Sequence, residues 1–523
     1  AFYHAANKLF KTTNLGKSWE VVSPDLTRND ITKLGMSGVP YTNEGAGGEN
    51  YGTIAYVLEA PNEAGVIWTG SDDGYVQLTR DGGKSWKNVT PKGLEECLIN
   101  SIEVSPHDKA TAYIATTRYK FNDFSPAIYK TTDYGTTWTK IVNGIPYGAF
   151  TRVVREDDVR KDLLYAGTET GFYISFDGGQ QWHNAQLNLP IVPITDLKVH
   201  RGDLLASTQG RAFWILDDLA PFRQYAQASA TGFSVVTPED TYRVMARSPL
   251  DNVATDDDDD DRPRSMTGIN PASGVVIYYS LPAKPDSTSV VTIQILNSKG
   301  ELVRSYSSEK DKKFVAYPGG PSESPVVPKK GGLNRFVWDM RYPSMVGAPN
   351  IFIEGSYQGH KASPGTYTVK VKYGTEEKTA TFKVLAHPGI QATDAAYEEQ
   401  HKIMSQIEAD VNEIHTAVNT MKSARKQLEA LQDLLSGKDE YKPIIESAKA
   451  IVKKLNAWEE KVVQPKAQSN DDIINFVNKL SADYIFLEGE LDTNIPQVSA
   501  GAVEQLAALQ ARWNGLKAER DAL

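Results

Sequence analysis

Two hydrophobic periods divide the chain. Through about residue 222, and again over 273–387, apolar residues come in short runs broken by Gly, Asp and Asn, which predicts short strands and tight turns. Beyond 391 they recur every three or four positions, which predicts helices. Within the first stretch the runs form units. IAYVLEAP (54–61), SIEVSPHD (101–108), RVVREDD (152–158) and DLKVHRGD (196–203) each read as an opening strand. VIWTGSDDGYVQLT (66–79), LLYAGTETGFYISF (163–176) and, more loosely, LLASTQGRAFWILDD (204–218) each read as strand, Gly turn, strand.

A third pattern follows these pairs. Ser/Thr-x-Asp-x-Gly-x-x-Trp occurs at Thr79–Trp86, Thr131–Trp138 and Ser175–Trp182, and Thr12–Trp19 matches it with Asn14 in place of Asp. The four starts lie 67, 52 and 44 residues apart. The carboxylate of Asp81, Asp133 or Asp177 can accept turn N–H groups, Gly allows a positive φ, and Trp86, Trp138 or Trp182 opens the next strand as an anchor. Four short strands per repeat of about 45 residues predict a β-propeller blade. The turn residues Asn14, Trp19, Asp81, Trp86, Asp133, Trp138, Asp177 and Trp182 are read as structural.

These motifs resemble the Asp-box (BNR) repeats of sialidases, xyloglucanase-type glycoside hydrolases and sortilin-type propellers. The similarity is nearest to bacterial sortilin-like or "glycosyl hydrolase" envelope proteins, through FSPAIYKTTDYGTTW, YAGTETGFYISFDGG and GRAFWILDDLAPFRQ. The resemblance covers about residues 1–222 and implies a periplasmic, outer-membrane-associated or secreted bacterial protein. AFYHAANKLFKTTNLGKSW has no strand upstream of its blade, and only four to five blades follow. The expectation is a partial propeller from the C-terminal portion of a longer protein, completed by an N-terminal segment or a second chain.

The remainder is read as three parts. An acidic linker covers 223–272 and contains Asp256–Asp261. This run lacks the alternating ligands and Gly turn of a calcium loop and is read as solvated chain. An immunoglobulin- or fibronectin-like β-sandwich covers 273–387, with clear alternation at Thr366–Tyr373 and Thr379–Leu385, hairpin turns at NSKG (297–300) and YGT (373–375), and Trp338 in its core. A helical bundle covers 391–523. Its first helix carries Met404, Ile407, Val411, Ile414, Val418, Met421, Leu428 and Leu435 and ends near Gly437. Its second spans about 441–463. Its third starts near Asp471, capped by Ser469 or Asn470. Its fourth starts near Ser499 and carries Val503, Leu506, Leu509, Trp513 and Leu516. The fold class is thus mainly β with an all-α tail.

Composition narrows the function. The 523 residues carry 56 Lys and Arg against 66 Asp and Glu, a net charge of −10, which disfavours nucleic acid and anionic membrane as partners. The single cysteine, Cys97, allows neither an internal disulfide nor a cysteine-ligated zinc, and is read as a buried small hydrophobe. No apolar run is long enough to span a bilayer. There is no Gly-x-Ser-x-Gly, His-Glu-x-x-His or Gly-x-x-x-x-Gly-Lys, no cofactor motif, and no histidine pair at metal spacing. The sialidase Arg-Ile-Pro motif is also absent.

Ligand contacts are therefore sought at the strand ends opposite the Asp-boxes. Asp72 and Asp73, Asp123, Glu156 and Asp157, and Glu169 are candidate acids there. Arg118, Tyr119, Lys120, Phe121, Arg152, Arg155 and Arg211 are candidate cationic and stacking partners. Two readings stand. One is a binding and scaffold protein of the bacterial envelope or exterior that recognises a protein, peptide or glycan. The other is a glycoside hydrolase, which needs paired carboxylates about 5–5.5 or 6.5–9.5 Å apart in an aromatic-lined cleft.

Overall fold

The computed structural model describes residues 1–34, 51–224, 232–246, 248–251 and 269–523, save the side chains of Asn470 and Ile473. The aspartate run at 256–261 lies outside the described residues. The chain divides into two compact units, Ala1–Arg223 and Gln224–Leu523.

Among the described residues of the N-terminal unit, five antiparallel sheets follow one another. The first holds β1 (Phe2–Ala5), β2 (Leu9–Thr12) and β3 (Glu20–Val21). The second holds β4 (Ile54–Glu59), β5 (Ile67–Ser71), β6 (Val76–Thr79) and β7 (Lys87–Asn88). The third holds β8 (Leu98–Val104), β9 (Ala112–Thr117), β10 (Ile128–Thr131) and β11 (Thr139–Lys140). The fourth holds β12 (Thr151–Glu156), β13 (Leu164–Thr168), β14 (Gly171–Ser175) and β15 (His183–Asn184). The fifth holds β16 (Ile194–His200), β17 (Asp203–Thr208) and β18 (Phe213–Leu216). Spatial order equals chain order in every sheet.

Each neighbouring pair of sheets shares its own core. Leu9 and Leu26 meet Ile54 and Ile67; Trp68 and Leu78 meet Ile99 and Ile102; Tyr113 and Ile128 meet Val154 and Leu164; Tyr165 and Phe172 meet Leu197 and Leu204. Strands β5, β9, β13 and β14 are buried on both faces because a sheet covers each side, so they combine apolar residues with small Gly, Ser and Thr rather than alternating apolar with charged positions. β1 and β18 alternate between exposed and half-buried positions. The opening strands pack in succession, β4 on β8, β8 on β12 and β12 on β16, and the sheets fan out from them as propeller blades do. Glycine makes this approach possible at two equivalent places. A Cβ on Gly70 in β5 would lie 2.4 Å from Ile99, and one on Gly167 in β13 would lie 2.7 Å from Ile194.

The C-terminal unit begins with two sheets over one core. The smaller orders β19 (Ser234–Val235), β21 (Val275–Leu281) and β24 (Gly332–Trp338) side by side. The larger runs β20 (Thr241–Tyr242), β26 (Glu376–Leu385), β25 (Gly365–Tyr373), β22 (Val291–Leu296) and β23 (Leu302–Ser307). Ile277, Ile293, Phe336, Val369 and a fully buried Trp338 come together between them. β20 pairs with β26 in parallel, unlike the other strands. The segment expected as an acidic linker, 223–272, therefore contributes β19 and β20 to the sheets.

A short helix, α1 (Ala220–Arg223), closes the N-terminal unit. In the C-terminal unit α2 (Asp394–Leu435), α3 (Lys442–Val462), α4 (Leu480–Leu491) and α5 (Ala500–Asp521) pack together. Thr393 and Ser499 cap α2 and α5 through their side-chain oxygens. The third helix starts at Leu480 rather than near Asp471. Asn470–Ile474 is a 3₁₀ turn with a Ser469–Asp472 capping box, and Ile474 and Val477 are exposed, so no apolar face extends the helix backward. The helical core also takes in Met345, Ala348, Ile351, Ile353 and Tyr357 from the loop between β24 and β25. Sheets and helices thus interleave in one compact unit. Among the described residues no helix is long and apolar enough to cross a membrane.

Candidate functional site

The Asp-box turns join the third and fourth strands of a sheet. Thr79 Oγ1 donates to Asp81, and Asp81 accepts the Ser85 N–H and hydroxyl. Those bonds, the Ser85 hydroxyl first, pull the Asp81 carboxyl down to about 2. Asp133 and Asp177 repeat the arrangement, and Asn14 accepts the Ser18 N–H in the same way. Each tryptophan then reaches the preceding sheet. The indole N–H of Trp86 donates to the Val22 carbonyl, that of Trp138 to Val89, and that of Trp182 to Ile141. Trp19 is 46% exposed and meets His4 edge-on.

Antiparallel pairing puts the second-to-third strand turns at the opposite end from these boxes. Asp72, Arg118, Tyr119, Asp123, Glu169 and Arg211 all lie in such turns or beside them, and Arg152 lies near the start of β12 at that same end. A small pocket of about 50 Å³ is lined by Tyr51, Asp72, Leu98, Thr117, Arg118, Tyr119, Lys120 and Phe121. The loop carrying the last four turns tightly, with a 3₁₀ turn at Tyr119–Phe121 and Asn122 at φ 58°. A bridge between Arg118 and Asp123 closes it. Arg118 also forms an ion pair with Glu95 and lies over the Phe121 ring.

Asp72 braces this wall. It accepts the N–H groups of Gly52 and Thr53 and the Thr53 hydroxyl, while burial holds its carboxyl above the usual range. Asp123 accepts the Ser125 N–H, which lowers its carboxyl.

An aromatic run continues from the pocket. Tyr119 stacks on Phe150 with centroids 5.4 Å apart, and Phe150 meets Phe124, which meets the exposed Tyr147. Arg152 lies 5.4 Å from the Phe150 ring and pairs with Glu169 at 2.6 Å. Phe124, Tyr147 and Phe150 were not among the sequence candidates, although the aromatic density of YKFNDFSP and the AFTR step point toward them.

Other candidates fall elsewhere. Arg211 is exposed, donates to the carbonyl of Gly210, and does not line the pocket. Glu156 and Asp157 lie at the Asp-box end, contrary to expectation, because β12 runs away from the pocket. Asp157 is fully buried and accepts from Val159, Arg160, Tyr165 and Arg223. Glu156 accepts the Asp162 N–H. Cys97 is buried, and burial pushes its thiol up to about 12.

Where the opening strands converge, the structure assembles a second polar set. Arg155 of β12 is 7% exposed and gathers groups from three other sheets. Its Nη2 donates to Tyr56 of β4 at 3.1 Å and to Asp196 of β16 at 2.6 Å, and its Nη1 lies 3.5 Å from Glu103 of β8. Burial raises the Glu103 carboxyl to about 7, against the opposing pull of Arg155 and Lys198. Neither Glu103 nor Asp196 was legible as a candidate, since each is a single acid inside a strand. Among the described residues no group of three or more His, Cys, Asp or Glu side chains is placed to hold a metal ion.

No family model and no curated protein matches the chain. Solved structures similar in part include YCF48 bound to D1 peptide, at 18% identity over 31% of this chain and 55% of that one, with a TM-score of 0.24. The GH74 xyloglucanase from Xanthomonas campestris is 14% identical over 72% of this chain and 56% of that one, with a TM-score of 0.33. The GH74 enzyme of Niastella koreensis is 13% identical over 72% and 54%, with a TM-score of 0.31. The chain spans about half the length of these structures.

Proposed function

We propose that the pocket end of the N-terminal unit is a recognition surface for a protein, peptide or glycan, and that the chain serves as a binding and scaffold protein of a bacterial envelope or exterior. The observation that carries this reading is the continuous run of cationic and aromatic groups from Arg118 through Tyr119 and Phe150 to Arg152. Ring faces and guanidinium edges together hold a sugar ring or a peptide side chain by stacking and forked hydrogen bonds. On this reading the two-sheet body is an immunoglobulin-like module that supports the recognition surface. Glycan and peptide arrays followed by titration of the hits test it. Tyr119→Ala and Arg152→Ala are expected to weaken binding by roughly 5- to 30-fold while leaving the fold intact. A ligand held equally well by both variants would sink the reading.

A second reading, a glycoside hydrolase, has one observation in its favour. Glu103 and Asp196 share the Arg155 guanidinium, and their surroundings differ. The Glu103 carboxyl is held near 7, whereas the Asp196 side chain is 62% exposed. Hydrolysis of a polysaccharide that is abolished by both Glu103→Gln and Asp196→Asn would establish it.

A further inference from the structure

In the C-terminal unit the segment 339–362, between β24 and β25, is tied to the helices at two histidines. At one end His415 of α2, fully buried, bonds through Nδ1 to the Val346 carbonyl and through Nε2 to Ser481 of α4. At the other end His360 is 2% exposed, and Glu408 of α2 accepts both its backbone N–H at 2.6 Å and its Nδ1–H at 2.7 Å. The remaining ring nitrogen of His360, Nε2, lies 2.7 Å from Nδ1 of His401, also on α2. The Tyr342 ring stacks on both imidazoles, at centroid distances of 4.5 and 5.1 Å.

This arrangement fixes the proton count. Facing a carboxylate, a neutral His360 carries its hydrogen on Nδ1, so with both rings neutral the one hydrogen between them is given by His401 Nδ1 to His360 Nε2. One added proton fits on His401 Nε2 and leaves that bond intact. A second, on His360 Nε2, would point a hydrogen at the His401 Nδ1–H and place two cations in contact. We propose that the seat of segment 339–362 on the helices is a proton-operated latch, shut while His360 and His401 share one bridging hydrogen and released when both rings are charged.

The surroundings set how much acid release needs, and burial is the largest influence, with Glu408 opposing it. Burial lowers the affinity of His401 for a proton, and His360 lowers it further. Lys299 and Glu301, from the turn between β22 and β23, act on His401 in opposite directions. Burial holds His415 at about 4, with Lys422 adding to the effect. On the segment itself Arg341 pairs with Asp492 at 2.6 Å, and Lys361 donates to the Asp339 carbonyl. Arg243 donates to Gln400 of α2. Lys361 and Glu488 of α4 both titrate near 8 through burial, above the acid range. Lys361 and Glu488 have thus settled their charge before the acid range, which leaves the paired imidazoles to take the added protons of the latch.

Hydrogen–deuterium exchange of the full chain at about pH 7 and about pH 5, corrected for intrinsic rates, tests the latch. Peptides covering 345–362 and 397–415 are expected to exchange roughly tenfold faster in acid, while those from β21 and β22 keep their protection. His401→Gln keeps a donor for His360 Nε2 but cannot take the proton, so it is expected to remove most of the acceleration. Equal protection at both pH values, or undiminished acceleration in His401→Gln, would overturn the proposal. Should that variant fail to fold, NMR titration of the wild-type rings decides. Two separated steps, the second coinciding with lost protection, support the latch; a single common step overturns it.

Discussion

The N-terminal unit joins its sheets with one bond made three times, whereas the C-terminal unit joins sheets to helices with bonds that each occur once. In the first, the indole N–H groups of Trp86, Trp138 and Trp182 each reach a carbonyl beside the outermost strand of the sheet before. In the second, His360 meets Glu408, His415 meets Val346, and Arg341 meets Asp492. A repeated link suits sheets added one after another, since each needs only its predecessor. A unique link holds one arrangement of dissimilar elements, and here each is made by an ionisable side chain. Arg155 is an exception within the N-terminal unit, because it links four sheets at once.

That exception carries the largest expected effect. Arg155→Met removes the cation that Glu103 and Asp196 share and is expected to cost about 2–3 kcal/mol, less than for a fully buried pair because Asp196 is exposed to water, seen as a fall in the denaturant midpoint of the N-terminal unit. An unchanged midpoint would mean that the Trp links suffice to hold the sheets together.

The repeated links are individually weaker. Trp138→Phe removes one N–H···O bond and is expected to cost about 1 kcal/mol. The same change at the half-exposed Trp19 should stay within about 0.5 kcal/mol. Equal losses at the two positions would show that the tryptophans act inside their own turns rather than between sheets.

A further effect concerns pH rather than a single bond. Glu103 holds its proton to about 7 in the folded state. Between an unfolded value of about 4.3 and that point, the folded chain binds more protons than the unfolded one. This contribution to stability is complete below about pH 4.3 and is lost as pH rises to about 7. Glu103→Gln should flatten that slope for the N-terminal unit and leave the C-terminal unit unaltered, as measured by urea unfolding at several pH values.

The Asp-box turns were legible in the sequence because their bonds span two to four residues, as from Thr79 to Asp81 and from Asp81 to Ser85. The blade order was legible for the same reason, as were the alternating strands of the two-sheet body and the start of α2. The choice of Asp72, Arg118 and Tyr119 rested on polar and aromatic residues in strand-end loops, and the structure brings all three to one pocket. Arg211 followed the same rule, yet its loop lies apart from that pocket. Glu156 and Asp157 read as candidate acids at the ligand end, but β12 carries them to the other end, where four donors surround a buried Asp157 while Val159 just beyond stays exposed.

What the sequence determined by itself is the local vocabulary: which residues turn, which alternate, which runs carry no charge because both faces are covered, and where helices begin at a cap. Only the tertiary structure decided the rest. The carbonyls that receive the Trp86, Trp138 and Trp182 indoles lie 64, 49 and 41 residues upstream. Tyr56, Glu103, Arg155 and Asp196 meet only because four sheets converge on their opening strands. His360, His401 and Glu408 become one proton-sharing chain only because a loop between two strands is set into a helical core. Turns and caps arise from bonds between near neighbours and so leave a mark in the spacing of residues. Convergence arises from packing distant faces together, which no local spacing records.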